Sequence, residues 1–354
     1  MKLKRLKVKN VKSFRDETEF NFHDDFNILI GPNGGGKSNL LDIISMGLKY
    51  FLFNGYTYNE NIDTYQRLIR NINPIPLDAL ARKLEKFYKY INDNSFIEFG
   101  LILEEQDIET IKLIQNHADK ILSVLENEFS NGKNLPSFGV NINVFINNVL
   151  KNFDLSSIPI RQEIRFKFVN NQPNFSEANI NQHVAHFLHS LFRSYEVLRI
   201  ASNYIENFKL PPLLLFFSPY RNLEINNLSI MLSNFNYPAE YQKLFTSSSK
   251  DTLNLTKLAI AHFAEKKRKL ETEFKEKAWE EDEEVKLVSK YLNKLGYDWN
   301  IKLIDPKKNT YEIELTKEGQ IFSIDSASSG EREIINFLFG IFAFNIQNGL
   351  IIID

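Results

Sequence analysis

The sequence contains no cysteine, which excludes disulfides, thiolate metal sites and a cysteine nucleophile and fits a reducing cytoplasm. It also lacks an excess of either charge. Lys plus Arg number 43 against 45 for Asp plus Glu, a net charge of −2, which argues against coating nucleic acid by bulk electrostatics. Long apolar runs are absent too. The basic start, Met1 to Lys9, has no apolar segment behind it, so no signal peptide is expected. The most apolar stretch, 210–217, holds two prolines and is far shorter than the roughly 20 residues that cross a bilayer. The expectation is a soluble, cytoplasmic chain with no membrane partner.

What is present suffices for a real core: 354 residues at 43% hydrophobic content can build one large or two ordinary domains. Leu6 and Val8, then Phe20 and Phe22, alternate with polar residues and predict an opening hairpin over 3–8 and 18–22. Phe26-Asn-Ile-Leu-Ile30 reads as a buried strand. Leu40, Ile43, Ile44, Gly47, Leu48 and Phe51 recur at helical spacing. Between that strand and that helix lies Gly31-Pro-Asn-Gly-Gly-Gly-Lys-Ser38, a complete P-loop. Its glycines let backbone N–H groups approach phosphate oxygens, and the positive end of the following helix faces the same anion. In this geometry Lys37 reaches the β- and γ-phosphates of ATP, and the Ser38 hydroxyl is a Mg²⁺ ligand. Asn33, Gly34, Gly35, Gly36, Lys37, Ser38 and Asn39 are therefore the candidate nucleotide-binding residues.

Residues 52–94, interrupted by Pro74 and Pro76, read as a surface excursion ending in a helix over 77–90. Strands are expected around 96–103 and 160–168, with helices over 107–152 between them, as an inserted arm. A helix is expected over 177–206, and a buried strand over 213–217 leads to Ser218-Pro-Tyr-Arg221. Two charged helices are expected within 253–295, broken around 279–284. Short strands follow over 299–304, 311–315 and 320–324, the last two joined at Lys317-Glu-Gly319. A helix over 331–345 presents Ile334, Ile335, Leu338 and Ile341, and 350–354 ends as a buried strand. The resulting division is 1–52, N-terminal core; 53–210, insertion; 211–252, return to the core; 253–298, helical segment; and 299–354, terminal part of the core.

Asp354 closes a run of aliphatic residues, the form of a Walker B strand whose carboxylate holds Mg²⁺ directly or through water. Ala327-Ser-Ser-Gly-Glu331 stands directly ahead of a helix, where the Ser328 hydroxyl can serve as an N-cap or a phosphate contact. The P-loop, Ser-Ser-Gly-Glu and aliphatic-Asp, in this order, resemble the ATP-binding-cassette superfamily, whose signature loop usually reads Leu-Ser-Gly-Gly-Gln; Ala327 and Ser329 depart from that form. The resemblance implies an α/β P-loop ATPase head with a mixed sheet and helical insertions. It also implies a head-to-tail homodimer, or a higher homo-oligomer, with ATP between subunits, in which Ser328 and Gly330 touch the γ-phosphate across the interface.

Lys9-Asn-Val-Lys-Ser-Phe14 and Lys37-Ser-Asn-Leu-Leu-Asp42 look like the SMC, RecF and Rad50-like group. Without a long coiled coil, the nearer resemblance is to OLD-type ATPases and the ATPase subunits of Septu-like bacterial defence systems. That resemblance implies ATP hydrolysis regulating a nuclease, supplied by a C-terminal extension or a separate subunit, with DNA as a further partner. An ATP-held scaffold without turnover and a chromosome or recombination-repair ATPase are the alternatives. The catalytic glutamate that usually follows the Walker B aspartate is expected beyond Asp354.

Three weaker patterns complete the reading. Lys12, in the loop that packs near the P-loop in relatives, is a candidate nucleotide contact. The N-terminal basic residues Lys2, Lys4, Arg5, Lys7, Lys9, Lys12 and Arg15 either face DNA or keep an edge strand soluble. His183, His186 and His189 recur every third residue, a spacing that drifts around a helix and suits packing better than zinc; Arg221 is a candidate phosphate contact or a surface ion-pair residue. Lys266 to Lys269 reads as a solvated helix face.

Overall fold

A computed structural model describes residues 1–53, 95–130, 154–169, 172–174, 198, 205, 213–217, 229–235, 255–272, 277–343 and 349–354. The helix expected over 77–90, His183, His186, His189 and Arg221 lie outside the described residues. So does the helix expected over 177–206, apart from Leu198 and Ile205, both buried. The chain forms two compact units, one comprising Met1–Phe216, Phe245–Ser249 and Gln347–Asp354, the other Phe217–Leu244 and Lys250–Ile346.

In the first unit β1 (Lys2–Lys9), β2 (Thr18–Asn21), β3 (Phe96–Ile102), β4 (Glu163–Val169) and β5 (Gln172–Asn174) form one five-stranded antiparallel sheet in the order β2-β1-β3-β4-β5. The strands expected within the insertion thus join the opening hairpin rather than stand apart from it as an arm. Register explains why: Leu6 lies opposite Phe99, and Phe99 opposite Phe166, so period-two side chains from three strands build one apolar face. Phe99 stacks on Phe166 at 5.1 Å between centroids. The helix α1 (Lys37–Phe53) buries Leu40, Ile43, Ile44, Met46 and Leu48, and its Gly47 lies so close to the Phe99 ring that a Cβ would sit 2.5 Å from Cζ; α2 (Glu105–Asn116) and α3 (Ala118–Ser130) follow β3.

β1 is an interior strand, so the edge-strand alternative for its lysines does not hold. Its cations are matched by carboxylates from neighbouring segments. Arg5 bonds Glu98 at 2.8 Å and Glu163 at 3.0 Å, Lys7 pairs with Glu19 at 3.0 Å, Lys2 with Glu104 at 2.8 Å, and Lys4 with Asp24. Those pairings serve the sheet's polar face.

The expected buried strand 26–30 is a second correction. This segment is not a strand, and Phe26, Ile28 and Ile30 are 76%, 68% and 91% exposed. Alternating apolar residues become a buried strand only when a neighbouring strand supplies the ladder, and no strand among the described residues pairs with this one. The strand over 213–217 is present as β6 (Leu213–Phe217), and it pairs with β11 (Gly349–Ile353), which also contacts β1 and α1.

The second unit is built from β7 (Ile230–Met231), α4 (Leu255–Thr272), α5 (Lys277–Glu281), α6 (Glu283–Lys294), β8 (Asp298–Asp305), β9 (Thr310–Lys317), β10 (Gln320–Ser323) and α7 (Ser329–Ala343). Two helices were expected over 253–295; three are present among the described residues, and Asp282 starts the last, its carboxylate accepting from the N–H groups of Glu284 and Val285. The β9–β10 hairpin turns through Glu318 and Gly319, at φ +51° and +77°, the left-handed pair that a tight two-residue hairpin requires. Phe263 meets Trp299 and Phe339 edge-on at 5.1 and 5.8 Å. On α7 the core face is Ile335 and Phe339, whereas Ile334 is exposed.

Lys266 and Lys267 are not the solvated lysines the sequence suggested. Lys266 bonds both Asp282, at 2.9 Å, and Glu284, at 2.6 Å, and His262 Nε2 lies 2.8 Å from Glu284 Oε2. Burial pushes the Glu284 carboxyl up, but His262 and Lys266 more than offset this and hold it at about 2. Lys267 donates to the Ile301 carbonyl at 2.6 Å, and its desolvation lowers its pKa. Helical periodicity places a charge on a face but does not reveal what that face meets.

Candidate nucleotide-binding site

Gly34 and Gly36 take φ values of +80° and +90°, which side-chain-bearing residues rarely adopt, and so turn the chain into α1. Gly35 N–H donates to the Pro32 carbonyl at 3.1 Å, and the Leu40 N–H to the Gly36 carbonyl at 2.9 Å. Residues Gly31 to Gly35 are exposed, and a Cβ at Gly31 or Gly34 would meet nothing within 4 Å. A Cβ on Gly36 would come within 2.9 Å of Ser13 Oγ, and Asn39 Nδ2 donates to the same oxygen at 3.1 Å. The loop carrying Lys9-Asn-Val-Lys-Ser-Phe14 therefore braces the start of α1. Ser13 was not singled out in the sequence; the Lys-Ser-Phe motif was its only signal.

Lys37 Nζ donates to the carbonyls of Gly31 and Pro32, at 2.8 and 2.9 Å, which keeps the ammonium over the loop. Ser38 Oγ donates to Asp354 Oδ1 at 2.8 Å. The structure thus brings the P-loop serine and the terminal carboxylate of β11 together. Two hard oxygen donors at this separation suit adjacent positions of an octahedral Mg²⁺, whose ligands at about 2.0–2.1 Å lie roughly 2.9 Å apart. The donor set fits the ion that the motif implies.

Lys12 is in contact with Asp42, in the second turn of α1, both side chains being largely buried. Lys12 takes φ +49° in the turn between Val11 and Phe14, which bridge to each other. Asp42 was not read as its partner in the sequence, where their 30-residue separation gives no signal.

In the second unit, Ser328 to Gly330 are exposed ahead of and within the first turn of α7. Ser328 N–H donates to Glu331 Oε2 at 2.9 Å, and Glu331 N–H approaches Ser328 Oγ at 3.4 Å, a reciprocal capping box. The N-cap reading of Ser328 therefore holds. Glu331 Oε1 also receives the Tyr297 hydroxyl and, at 3.2 Å, Lys317 Nζ. The Tyr297 hydroxyl, Ser328 and Lys317 together hold the Glu331 carboxyl at about 2. Tyr297 and Lys317 had no signal in the sequence as members of this group.

Comparison with known proteins adds a family likeness at the N-terminus. Residues 2–60 match the family described as RecF/RecN/SMC N terminal domain. The chromosome partition protein Smc of Halobacteriovorax marinus is 50% identical over 44 residues, covering 12% of this chain and 4% of that protein. The DNA double-strand break repair Rad50 ATPase of Methanosarcina acetivorans is 46% identical over 48 residues, covering 14% of this chain and 4% of that protein. The matched segment is thus a small fraction of either relative's length. Among solved structures, an Smc head bound to the C-winged helix domain of ScpA aligns over 99% of this chain and 78% of its own, at 14% identity and a TM-score of 0.36. Among the described residues, no helix is long and apolar enough to cross a membrane. The sequence likeness to SMC and Rad50 proteins lies in the N-terminal segment that carries the P-loop.

Proposed function

We propose that this chain binds ATP with Mg²⁺ in the P-loop and forms a head-to-tail dimer whose closure is driven by that nucleotide. The observation that supports the reading is the 2.8 Å hydrogen bond between Ser38 and Asp354, the two residues that the motifs suggest as Mg²⁺ ligands. Asn33, Gly34, Gly35, Gly36 and Asn39 shape a glycine cradle, and Lys37 supplies the cation for the β- and γ-phosphates. When bound, Mg²⁺ supplies charge neutralisation at the phosphate oxygens. Lys12 supports the site from the adjoining loop. Ser328 and Gly330 of one copy contact the γ-phosphate bound by the other. Contacts from both faces stabilise the closed dimer, and hydrolysis reopens it.

The role of that cycle has two readings. The short matches to Smc and Rad50 favour a chromosome or recombination-repair ATPase acting with DNA. The other is control of an associated nuclease in antiphage defence, as OLD-type and Septu-like ATPases suggest. Purified full-length protein should bind and hydrolyse ATP, and Lys37→Ala should abolish both; wild-type binding that Lys37→Ala leaves intact would overturn the site assignment. ATP binding without turnover would instead support the scaffold alternative. DNA-stimulated turnover without nuclease activity supports the repair reading, and phage protection lost with Lys37→Ala supports defence.

A further inference from the structure

Glu331 stands where the ABC signature usually carries glutamine. A carboxylate beside a loop that receives a triphosphate is a problem in elementary electrostatics, because like charges at short range in a partly dry interface repel strongly. The structure answers it locally. Both Glu331 oxygens are committed: Oε2 to the Ser328 N–H at 2.9 Å, and Oε1 to the Tyr297 hydroxyl and to Lys317 Nζ at 3.2 Å. Lys317 also donates to the Tyr297 hydroxyl at 3.2 Å, and its ammonium lies 4.6 Å from the centre of the Tyr297 ring.

These partners sit on rigid supports. Tyr297 is buried and meets Phe322 edge-on at 6.1 Å. Lys317 ends β9 immediately before the tight Glu318-Gly319 turn. Glu331 in turn is one helical turn from Ser328, to which it is bonded through the capping box.

We propose that Lys317 and Tyr297 are positioning residues for the signature loop, neutralising and orienting Glu331 so that Ser328 and Gly330 can accept the γ-phosphate held by a second copy of the chain. The proposal rests on the ATP-sandwich reading above. Lys317 acts through Glu331, so its importance depends on the charge at that position. A glutamine at 331 can accept from the Ser328 N–H through its carbonyl oxygen and donate its amide N–H to the Tyr297 hydroxyl, and it no longer needs a cation.

The test is a double-mutant cycle in the full-length protein, read as the dimer dissociation constant by sedimentation with Mg²⁺ and a non-hydrolysable ATP analogue. Binding of a fluorescent ATP analogue to dilute monomer is measured in parallel. Lys317→Met should weaken nucleotide-dependent dimerisation at least about ten-fold while leaving monomer nucleotide affinity within about two-fold. Lys317→Arg should retain dimerisation, and Glu331→Gln combined with Lys317→Met should recover most of the loss. Tyr297→Phe should weaken the dimer in the same direction. A folded Lys317→Met variant that dimerises like wild type overturns the proposal, as does a double variant no better than the single one. Failure of the wild type to dimerise with nucleotide sinks the sandwich reading itself, and is separately visible from the wild-type control.

Discussion

Ser38 Oγ donates to Asp354 Oδ1 at 2.8 Å, joining residues 316 positions apart in the chain. One lies at the start of α1 and the other directly after β11, and these two elements are in contact. The hydrogen bond thus brings together residues of two separate motifs.

Asp354→Asn should retain the hydrogen bond to Ser38 but remove the negative charge that a divalent cation needs. Its expected effect is a loss of at least about ten-fold, roughly 1.4 kcal/mol, in the Mg²⁺-dependent part of ATP affinity. Titration with a fluorescent ATP analogue, with Mg²⁺ and with EDTA, reads this directly. An unchanged magnesium dependence would remove Asp354 from the metal site.

Lys12→Met should act first on stability. It leaves the buried Asp42 carboxylate without this cation, and breaking one partner of a buried pair costs about 3–5 kcal/mol. Urea unfolding should show the lower midpoint. If Lys12 also contacts nucleotide, ATP affinity measured below the unfolding transition falls as well; if only the midpoint moves, its role is structural.

Gly47→Ala introduces a methyl group 2.5 Å from Phe99 Cζ, at a ring already packed against Phe166 and Phe168. Alanine is the better helix former, but overpacking of this kind costs about 1–3 kcal/mol and should win. A lower thermal midpoint is expected, and a raised one would show that the Phe99 ring can move aside.

Glu284 gives the second unit an acid-sensitive anchor. Its folded pKa, about 2, is below the ordinary 4.5, so its contribution to stability is complete above pH 4.5 and is lost as the pH falls toward 2. Glu284→Gln should flatten the dependence of the urea midpoint over this window. Lys266→Met should lower the midpoint at neutral pH, by about 3 kcal/mol, because Asp282 and Glu284 then lose their shared cation.

Much of this protein was legible in the residues because local geometry imposes local chemistry. A phosphate-binding turn needs glycine at left-handed positions, and Gly34 and Gly36 take them. A hairpin needs a turn like Glu318-Gly319, and a helix start accepts the Ser328-x-x-Glu331 pattern. The strands at 96–102 and 163–169 were also legible, but their membership of the N-terminal sheet was not. Pairing depends on which apolar faces meet, and sequence periodicity gives a face without its neighbour.

The same limit explains 26–30, whose pattern suits burial although no described strand lies beside it. It also explains the basic residues: Arg5, Lys12 and Lys266 looked like charge available to solvent or ligand, and each faces a carboxylate brought from elsewhere in its own unit. The sequence by itself determined the glycine turn into α1, since its left-handed positions depend on residues a few positions apart. Only the tertiary structure decided that Asp354 meets Ser38, that Asp42 holds Lys12 and that Tyr297 and Lys317 converge on Glu331. Those relationships depend on how separate elements pack, and chain separation carries no record of it.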